Sequence, residues 1–131
     1  MSDASVTASH SGIPYQVSLS DGLHQWLADE PVELGGGNQG PGPFQLLLSS
    51  LGACTAITVA MYARRKEWPL DGIQVRLSLS QEKPSVSHIA RAIGLSGALD
   101  DTQRQRLLEI ANACPVHKLL SGEIHIDSQL V

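Results

Sequence analysis

The chain has 131 residues, which fits one domain spanning 1–131. Its apolar fraction of 42% is ordinary for a globular protein, so intrinsic disorder is not expected. The net charge is −4, and all nine Lys and Arg residues fall between Arg64 and Lys118. This balance argues against nucleic acid and a membrane surface as partners, because both attract a basic patch.

Three short runs in the first 28 residues predict an antiparallel meander. Apolar residues alternate with polar ones from Val6 to Ala8 and from Ile13 to Leu19, and Leu23 to Ala28 supplies a third strand. The next segment, 31–43, holds three Pro and five Gly and predicts a loop that crosses a surface or caps a site.

Residues 44–66 predict one long helix that Pro43 can start and Arg64-Arg65-Lys66 can end. Its apolar residues occupy every side of the helical wheel, and no charge occurs from Leu34 to Ala63. Such a helix is typical of a buried position, and we expect a second subunit to cover it. The segment is a poor membrane span because it contains Gln45, Ser49, Ser50, Gly52, Thr55, Thr58 and Tyr62.

The second half predicts a strand from Ile73 to Leu79 paired with a strand from His88 to Gly97. A capping box formed by Asp100 and Gln103 predicts a helix that runs to Cys114. Pro115 then opens a short helix over 116–120, and 123–127 alternates as a last strand. This element order predicts an α+β domain.

The two cysteines, Cys54 and Cys114, are too few for a secreted disulfide framework. The N-terminus lacks the features of a signal peptide, so the cytoplasm is the expected location. There, such a pair is either two buried thiols or a redox couple. Cys114 lies at the start of the short helix, where backbone amides favour a thiolate. The spacing of 60 positions does not itself bring the thiols together.

Two segments resemble signatures of the OsmC/Ohr superfamily. The central-helix signature is resembled by Gly40-Pro41-Gly42-Pro43-Phe44-Gln45-Leu46-Leu47-Leu48-Ser49-Ser50-Leu51-Gly52-Ala53-Cys54-Thr55. The second signature is resembled by Cys114-Pro115-Val116-His117-Lys118. The resemblance extends from about Ser5 to Ser128, and two cysteine motifs in the same order make it specific.

The resemblance implies an intertwined homodimer with antiparallel sheets packed around a long buried central helix. It also implies thiol-dependent reduction of small hydrophobic hydroperoxides. In that pattern Cys54 is the peroxidatic thiol and Cys114 the resolving thiol, and a dithiol such as a lipoyl protein reopens their disulfide. No organic cofactor and no metal ion are expected.

This chain departs from the family at the groups that activate the thiol. In the family an Arg from the N-terminal strands does this, held by a Glu near the helix start. Residues 1–63 contain neither Lys nor Arg, and Phe44 or Gln45 stands at the place of the Glu. His24, Gln45 and His117 are therefore auxiliary candidates. Arg64 and Arg65 lie about 15 Å beyond Cys54 along the helix axis, too far within one subunit.

Two other readings stay open at this point. Without the activating pair, the chain could be a dimer with a different thiol-redox role, or a binding protein associated with stress. Cys114 and His117 also have the spacing of metal ligands, with His125 nearby, although a zinc site wants four ligands or three plus water.

Overall fold

The computed structural model describes residues 3–131. The chain forms two compact units, and the boundary between them falls inside the long helix, at Leu47 and Leu48. The secondary structure is α+β, with antiparallel sheets and a central helix, which confirms the predicted class.

The first unit contains the predicted meander. Strands β1 (Thr7–His10), β2 (Val17–Ser20) and β3 (Gln25–Ala28) form one antiparallel sheet in the order β1-β2-β3. Strand β2 begins later than the predicted Ile13, because Ile13 lies in a turn. The carbonyl of Ile13 accepts hydrogen bonds from the Gln16 amide at 3.2 Å and from His10 Nε2 at 3.1 Å.

The Gly- and Pro-rich loop after β3 folds around the buried carboxylate of Asp29. Its oxygens accept the backbone amides of Glu30, Gly37 and Gln39 at 2.8, 3.3 and 3.1 Å. These hydrogen bonds hold the pKa of the Asp29 carboxyl below its usual range, and the bond from the Gln39 amide has the largest effect. At Gly36 a Cβ would lie 2.0 Å from the Glu30 carbonyl oxygen, so only glycine fits this close approach. The loop also contains a short 3-10 helix, Val32–Leu34.

Helix α1 spans Pro43–Arg65, within one residue of the predicted bounds. Within one chain it buries a single stripe at four-residue spacing, formed by Leu51, Thr55, Val59 and Ala63. Other apolar side chains of the helix are exposed, among them Ile57 and Met61. Cover by a second subunit therefore stays a prediction. By length and composition alone α1 could cross a membrane, a test that core helices of soluble proteins also pass.

The second unit packs α1 against the remaining elements. Strands β4 (Gly72–Lys83) and β5 (Val86–Ser96) form the predicted hairpin, followed by α2 (Asp101–Asn112) and α3 (Pro115–Ser121). The capping box of Asp100 and Gln103 is confirmed at the start of α2. The buried core joins α1 to α2 and consists of Val59, Ala63, Leu107 and Ala111.

The predicted last strand, Glu123–Asp127, is wrong. Residues 123–131 belong to no helix or strand of the described chain, and Ile124 and Ile126 are exposed. Alternation supplies one apolar face, but a strand also needs the hydrogen-bonding edge of a neighbouring strand. In the second unit the only described sheet is the β4-β5 pair, which this segment does not join.

Candidate functional site

Cys54 lies in the middle of α1, directly before the buried Thr55. Its thiol is free and partly exposed, and its Sγ lies 3.9 Å from the Thr58 hydroxyl one turn further along. The position follows from the helix itself, because a residue next to the buried stripe faces the boundary between core and surface. Cys54 can therefore meet both a neighbouring thiol and a small molecule.

Cys114 is completely buried and caps the N-terminus of α3. Its Sγ accepts the backbone amide of His117 at 3.3 Å. Pro115 follows as the first residue of α3, which suits a position whose amide would find no partner within the helix. The cysteine thus takes the place of the Ser or Asp that ordinarily caps a helix.

The structure brings the two cysteines together. The Cys54 thiol and the Thr55 hydroxyl lie close enough to the sulfur of Cys114 to lower its pKa. Burial raises the pKa of Cys114, but the neighbouring His117 amide, Cys54 thiol, Thr55 hydroxyl and Val116 amide together lower it more. The net effect is a Cys114 thiol whose pKa lies below its ordinary value, close to a second free thiol. Two free thiols that lie close together are candidates for a disulfide.

Arg91 of β5 lies beside this pair, and sequence reasoning missed it. Its Nη1 donates to Thr55 Oγ1 at 2.9 Å. Its Nη2 lies 2.9 Å from Asn112 Oδ1 and 3.1 Å from His117 Nδ1. One signal was available in the sequence. The inward-facing positions of β5 are otherwise apolar, and they are Ile89, Arg91, Ile93 and Leu95. A cationic side chain at an inward-facing position usually has a hydrogen-bonding or charged partner, or a functional role, because burying an unpaired charge is costly.

His117, an auxiliary candidate from the sequence, lies at this site. Because a guanidinium only donates, His117 Nδ1 accepts the bond from Arg91, which assigns the ring proton to Nε2. The same residue presents its backbone amide to Cys114. His117 therefore connects the cation to the buried sulfur.

A cavity of about 400 Å³ opens next to Arg91 and His117. Leu51, Ile89 and Leu120 supply apolar walls, and neither cysteine is among its lining residues. The cavity therefore adjoins the thiol pair through Arg91 and His117. Its mixture of apolar walls and a few polar groups is typical of a small-molecule site.

The other auxiliary candidates, His24 and Gln45, lie in the first unit. His24 is exposed, and its Nδ1 pairs with Asp21 Oδ2 at 2.9 Å. Gln45 directs its Oε1 towards Gly42, where a Cβ would lie 2.7 Å from it. A role for either residue beside Cys54 stays a prediction.

Within residues 3–131, no group of three or more His, Cys, Asp and Glu residues could hold a metal ion. Cys114, His117 and His125 thus form no such cluster, and His125 instead pairs with Glu123 at 3.0 Å. The site is one of two thiols, an arginine and a histidine.

Solved structures with the same fold are similar over nearly the whole chain. An OsmC-like protein from Mycoplasma pneumoniae matches with a TM-score of 0.79 at 20% identity, covering 92% of this chain and 89% of that one. The organic hydroperoxide resistance protein OhrB of Bacillus subtilis matches with a TM-score of 0.64 at 25% identity, covering 92% and 91%. An organic hydroperoxide resistance protein OsmC from Legionella pneumophila matches with a TM-score of 0.66 at 23% identity, covering 93% and 91%.

Among curated proteins there is no match to this chain. The family model described as OsmC-like protein matches residues 35–129, which include both cysteines, Arg91 and His117. With the fold and this match in agreement, the chain belongs to the OsmC-like protein family.

Proposed function

We propose that this protein reduces organic hydroperoxides with Cys54 and Cys114 as a redox pair, as part of oxidative-stress defence. The observation that carries the proposal is the proximity of two free thiols that lie 60 positions apart in the sequence. Membership of the OsmC-like family and the names of the Bacillus subtilis and Legionella pneumophila relatives support the same activity.

The exposure of the two sulfurs supports different roles for them. Cys54 is partly exposed and takes the peroxidatic role, whereas Cys114 is completely buried. The Cys54 thiolate attacks one peroxide oxygen, the O–O bond breaks, and the leaving oxygen takes a proton to become an alcohol. Cys54 is then a sulfenic acid, oxidised by two electrons.

Cys114 completes the proposed reaction. Its lowered pKa favours the thiolate, and its sulfur lies close to Cys54. The Cys114 thiolate attacks the Cys54 sulfenic acid, water leaves with the hydroxyl oxygen, and a disulfide forms. A dithiol reductant, a lipoyl protein for example, reopens the disulfide by thiol exchange in the cytoplasm.

The neighbouring cavity supports a hydrophobic hydroperoxide as substrate. Leu51, Ile89 and Leu120 offer apolar walls to an alkyl or aryl group. Transfer of such a group from water into the cavity is favourable, whereas hydrogen peroxide gains nothing from it.

Stopped-flow kinetics with three proteins would test the proposal. We expect cumene hydroperoxide to consume both thiols of the wild type much faster than it oxidises free cysteine. Cys54→Ser should abolish the fast phase, and Cys114→Ser should keep the first step and accumulate the sulfenic acid, which dimedone traps. A fast phase that survives in Cys54→Ser would contradict the assigned roles.

The exposed face of α1 supports a homodimer as the working form. Ile57 and Met61 lie one turn apart on the same side of the helix, and each is more than half exposed in the single chain. Unpartnered apolar patches of this kind mark interfaces. We expect sedimentation of the wild type to show a dimer and Ile57→Glu to weaken it. Leu130→Glu, at a fully exposed residue near the C-terminus, is the matched control. A wild-type monomer at micromolar concentration would contradict the dimer.

A further inference from the structure

The reaction proposed above develops negative charge on sulfur and on the leaving oxygen, and such charge needs a nearby cation or hydrogen-bond donors. Residues 1–63 contain no Lys or Arg. His24, the first candidate for this task, is instead paired with Asp21. The requirement must therefore be met from the second half of the chain or from a partner subunit.

We propose that Arg91 is the positioning residue of the thiol pair and the source of positive charge beside it, in place of an arginine from the N-terminal strands. This inference rests on the proposed function. Arg91 lies in β5, far from both cysteine signatures in the sequence, so no sequence motif of this chain includes it.

The guanidinium binds one acceptor on each of three elements. Thr55 belongs to α1, Asn112 is the last residue of α2, and His117 belongs to α3. A planar fork of five N–H donors can reach three acceptors at once, whereas the single ammonium of a lysine cannot match this geometry. Arg91 therefore fixes the relative positions of the elements that carry both cysteines.

Two of these three partners lie next to the buried sulfur. The Thr55 hydroxyl is close enough to lower the pKa of Cys114, and the His117 amide donates to its sulfur at 3.3 Å. Loosening the guanidinium would thus move the donors that stabilise the Cys114 thiolate. Arg91 acts on Cys114 through these groups.

The Thr55 hydroxyl shows how the coupling works. Its one hydrogen can serve the Leu51 carbonyl, 2.7 Å away, or the sulfur of Cys114. The bond that Oγ1 accepts from Arg91 polarises the hydroxyl and makes it a stronger donor. As charge develops on Cys114, the hydroxyl can turn from the carbonyl to the sulfur.

The remaining face of Arg91 adjoins the cavity. A hydroperoxide that occupies this space lies near the positive charge of Arg91 and against the apolar side chains of Leu51, Ile89 and Leu120, where electrostatic stabilisation is stronger than in water. Arg91 thus positions the groups around the thiols and stabilises the negative charge that develops on the leaving oxygen.

Arg91→Gln and Arg91→Lys test the proposal, with Arg76→Gln as the control because Arg76 is an exposed arginine of the neighbouring strand β4. The first readout is the ultraviolet titration of the Cys114 thiolate in a Cys54→Ser background, which needs no peroxidase activity. We expect Arg91→Gln to raise its midpoint by about one pH unit or more. Arg76→Gln should leave the midpoint unchanged.

The second readout is the rate at which cumene hydroperoxide oxidises Cys54. We expect Arg91→Gln to lower it on the order of 100-fold. Arg91→Lys, which keeps the charge and most of the side chain, should restore part of the rate but not the titration midpoint. If Arg91→Gln fails to fold, the lysine variant alone decides, and a wild-type rate with a wild-type midpoint in it would overturn the proposal.

The two proposals fail in different ways. A wild-type protein that does not react with hydroperoxide would contradict the proposed function. The titration would still report whether Arg91 lowers the pKa of Cys114. A reactive wild type whose rate and midpoint both survive in folded Arg91→Gln would overturn the inference about Arg91.

Discussion

The side chain of Arg91 donates a hydrogen bond to Thr55 Oγ1 at 2.9 Å, and so joins two residues that lie 36 positions apart. The bond connects the inward-facing side of β5 to the buried stripe of α1, directly beside Cys54. Each partner makes further hydrogen bonds. Thr55 donates to the Leu51 carbonyl, and Arg91 donates to Asn112 and His117. The polar groups around the thiol pair therefore form one connected network.

The pKa of Cys114 gives the first prediction. Because the folded protein lowers this pKa, Cys114 in Cys54→Ser should titrate at a lower pH in the folded protein than in the unfolded protein. The sign for stability follows from linkage. Between the folded and the unfolded pKa the unfolded state binds more protons, so stability should rise with pH across that window. Ultraviolet titration of folded and urea-unfolded protein measures both values, and equal midpoints would contradict the prediction.

The buried carboxylate of Asp29 gives the second prediction. Asp29→Asn replaces an acceptor by an amide that faces a backbone N–H, so we expect the melting temperature at neutral pH to fall by several degrees. Because the folded pKa of Asp29 is lowered, its contribution is complete above the unfolded pKa of about 3.9 and is lost as the pH falls below that value.

Asp29→Asn should therefore also flatten the acid side of the stability profile. Asp127→Asn, at an exposed position in the C-terminal segment, is the control and should change neither the melting temperature nor its pH dependence. If the melting temperatures of Asp29→Asn and the wild type fall in parallel at acid pH, the stability of the loop does not depend on the charge of Asp29.

The core contact between α1 and α2 gives the third. Leu107 is 1% exposed and packs in the cluster with Val59, so Leu107→Ala should cost about 2–5 kcal/mol of unfolding free energy. Leu108 is the next residue on the same helix and is 44% exposed. Leu108→Ala should cost less than about 1 kcal/mol. Urea unfolding of both variants makes the comparison, and equal losses would contradict the assigned core.

The capping box of α2 gives the fourth. The Asp100 side chain accepts the Gln103 amide at 2.7 Å, and the Gln103 side chain accepts the Asp100 amide at 3.0 Å. Asp100→Ala should lower the unfolding free energy by about 1 kcal/mol. Gln105→Ala, at an exposed interior position of the same helix, is the matched control. A loss no larger than the control's would mean that the cap does not stabilise the helix.

Local signals predicted most of the elements. Pro43 and Arg64-Arg65 bounded α1, the capping box located α2, and Pro115 located α3, because each of these signals acts on hydrogen bonds within a few residues. The strand at 123–127 failed for the complementary reason. Its pattern is local, but strand formation depends on an edge supplied by another part of the chain.

The site was predictable only in part. Cys54, Cys114 and His117 stand out through the family resemblance, whereas periodicity does not bring together residues 60 positions apart. Arg91 could not be placed, because its partners Thr55, Asn112 and His117 come from three helices that only the tertiary fold assembles. The break in the apolar side of β5 was the available clue, and it marks a position without naming a partner.

One measurement tests the central claim, the redox partnership of Cys54 and Cys114, most directly. Reduced protein, freed of reductant, receives one equivalent of cumene hydroperoxide, and intact mass and peptide mapping follow. We expect the rapid loss of both thiol hydrogens and a disulfide that links Cys54 to Cys114 within one chain. Two free thiols that persist, reacting no faster than free cysteine, would contradict the claim.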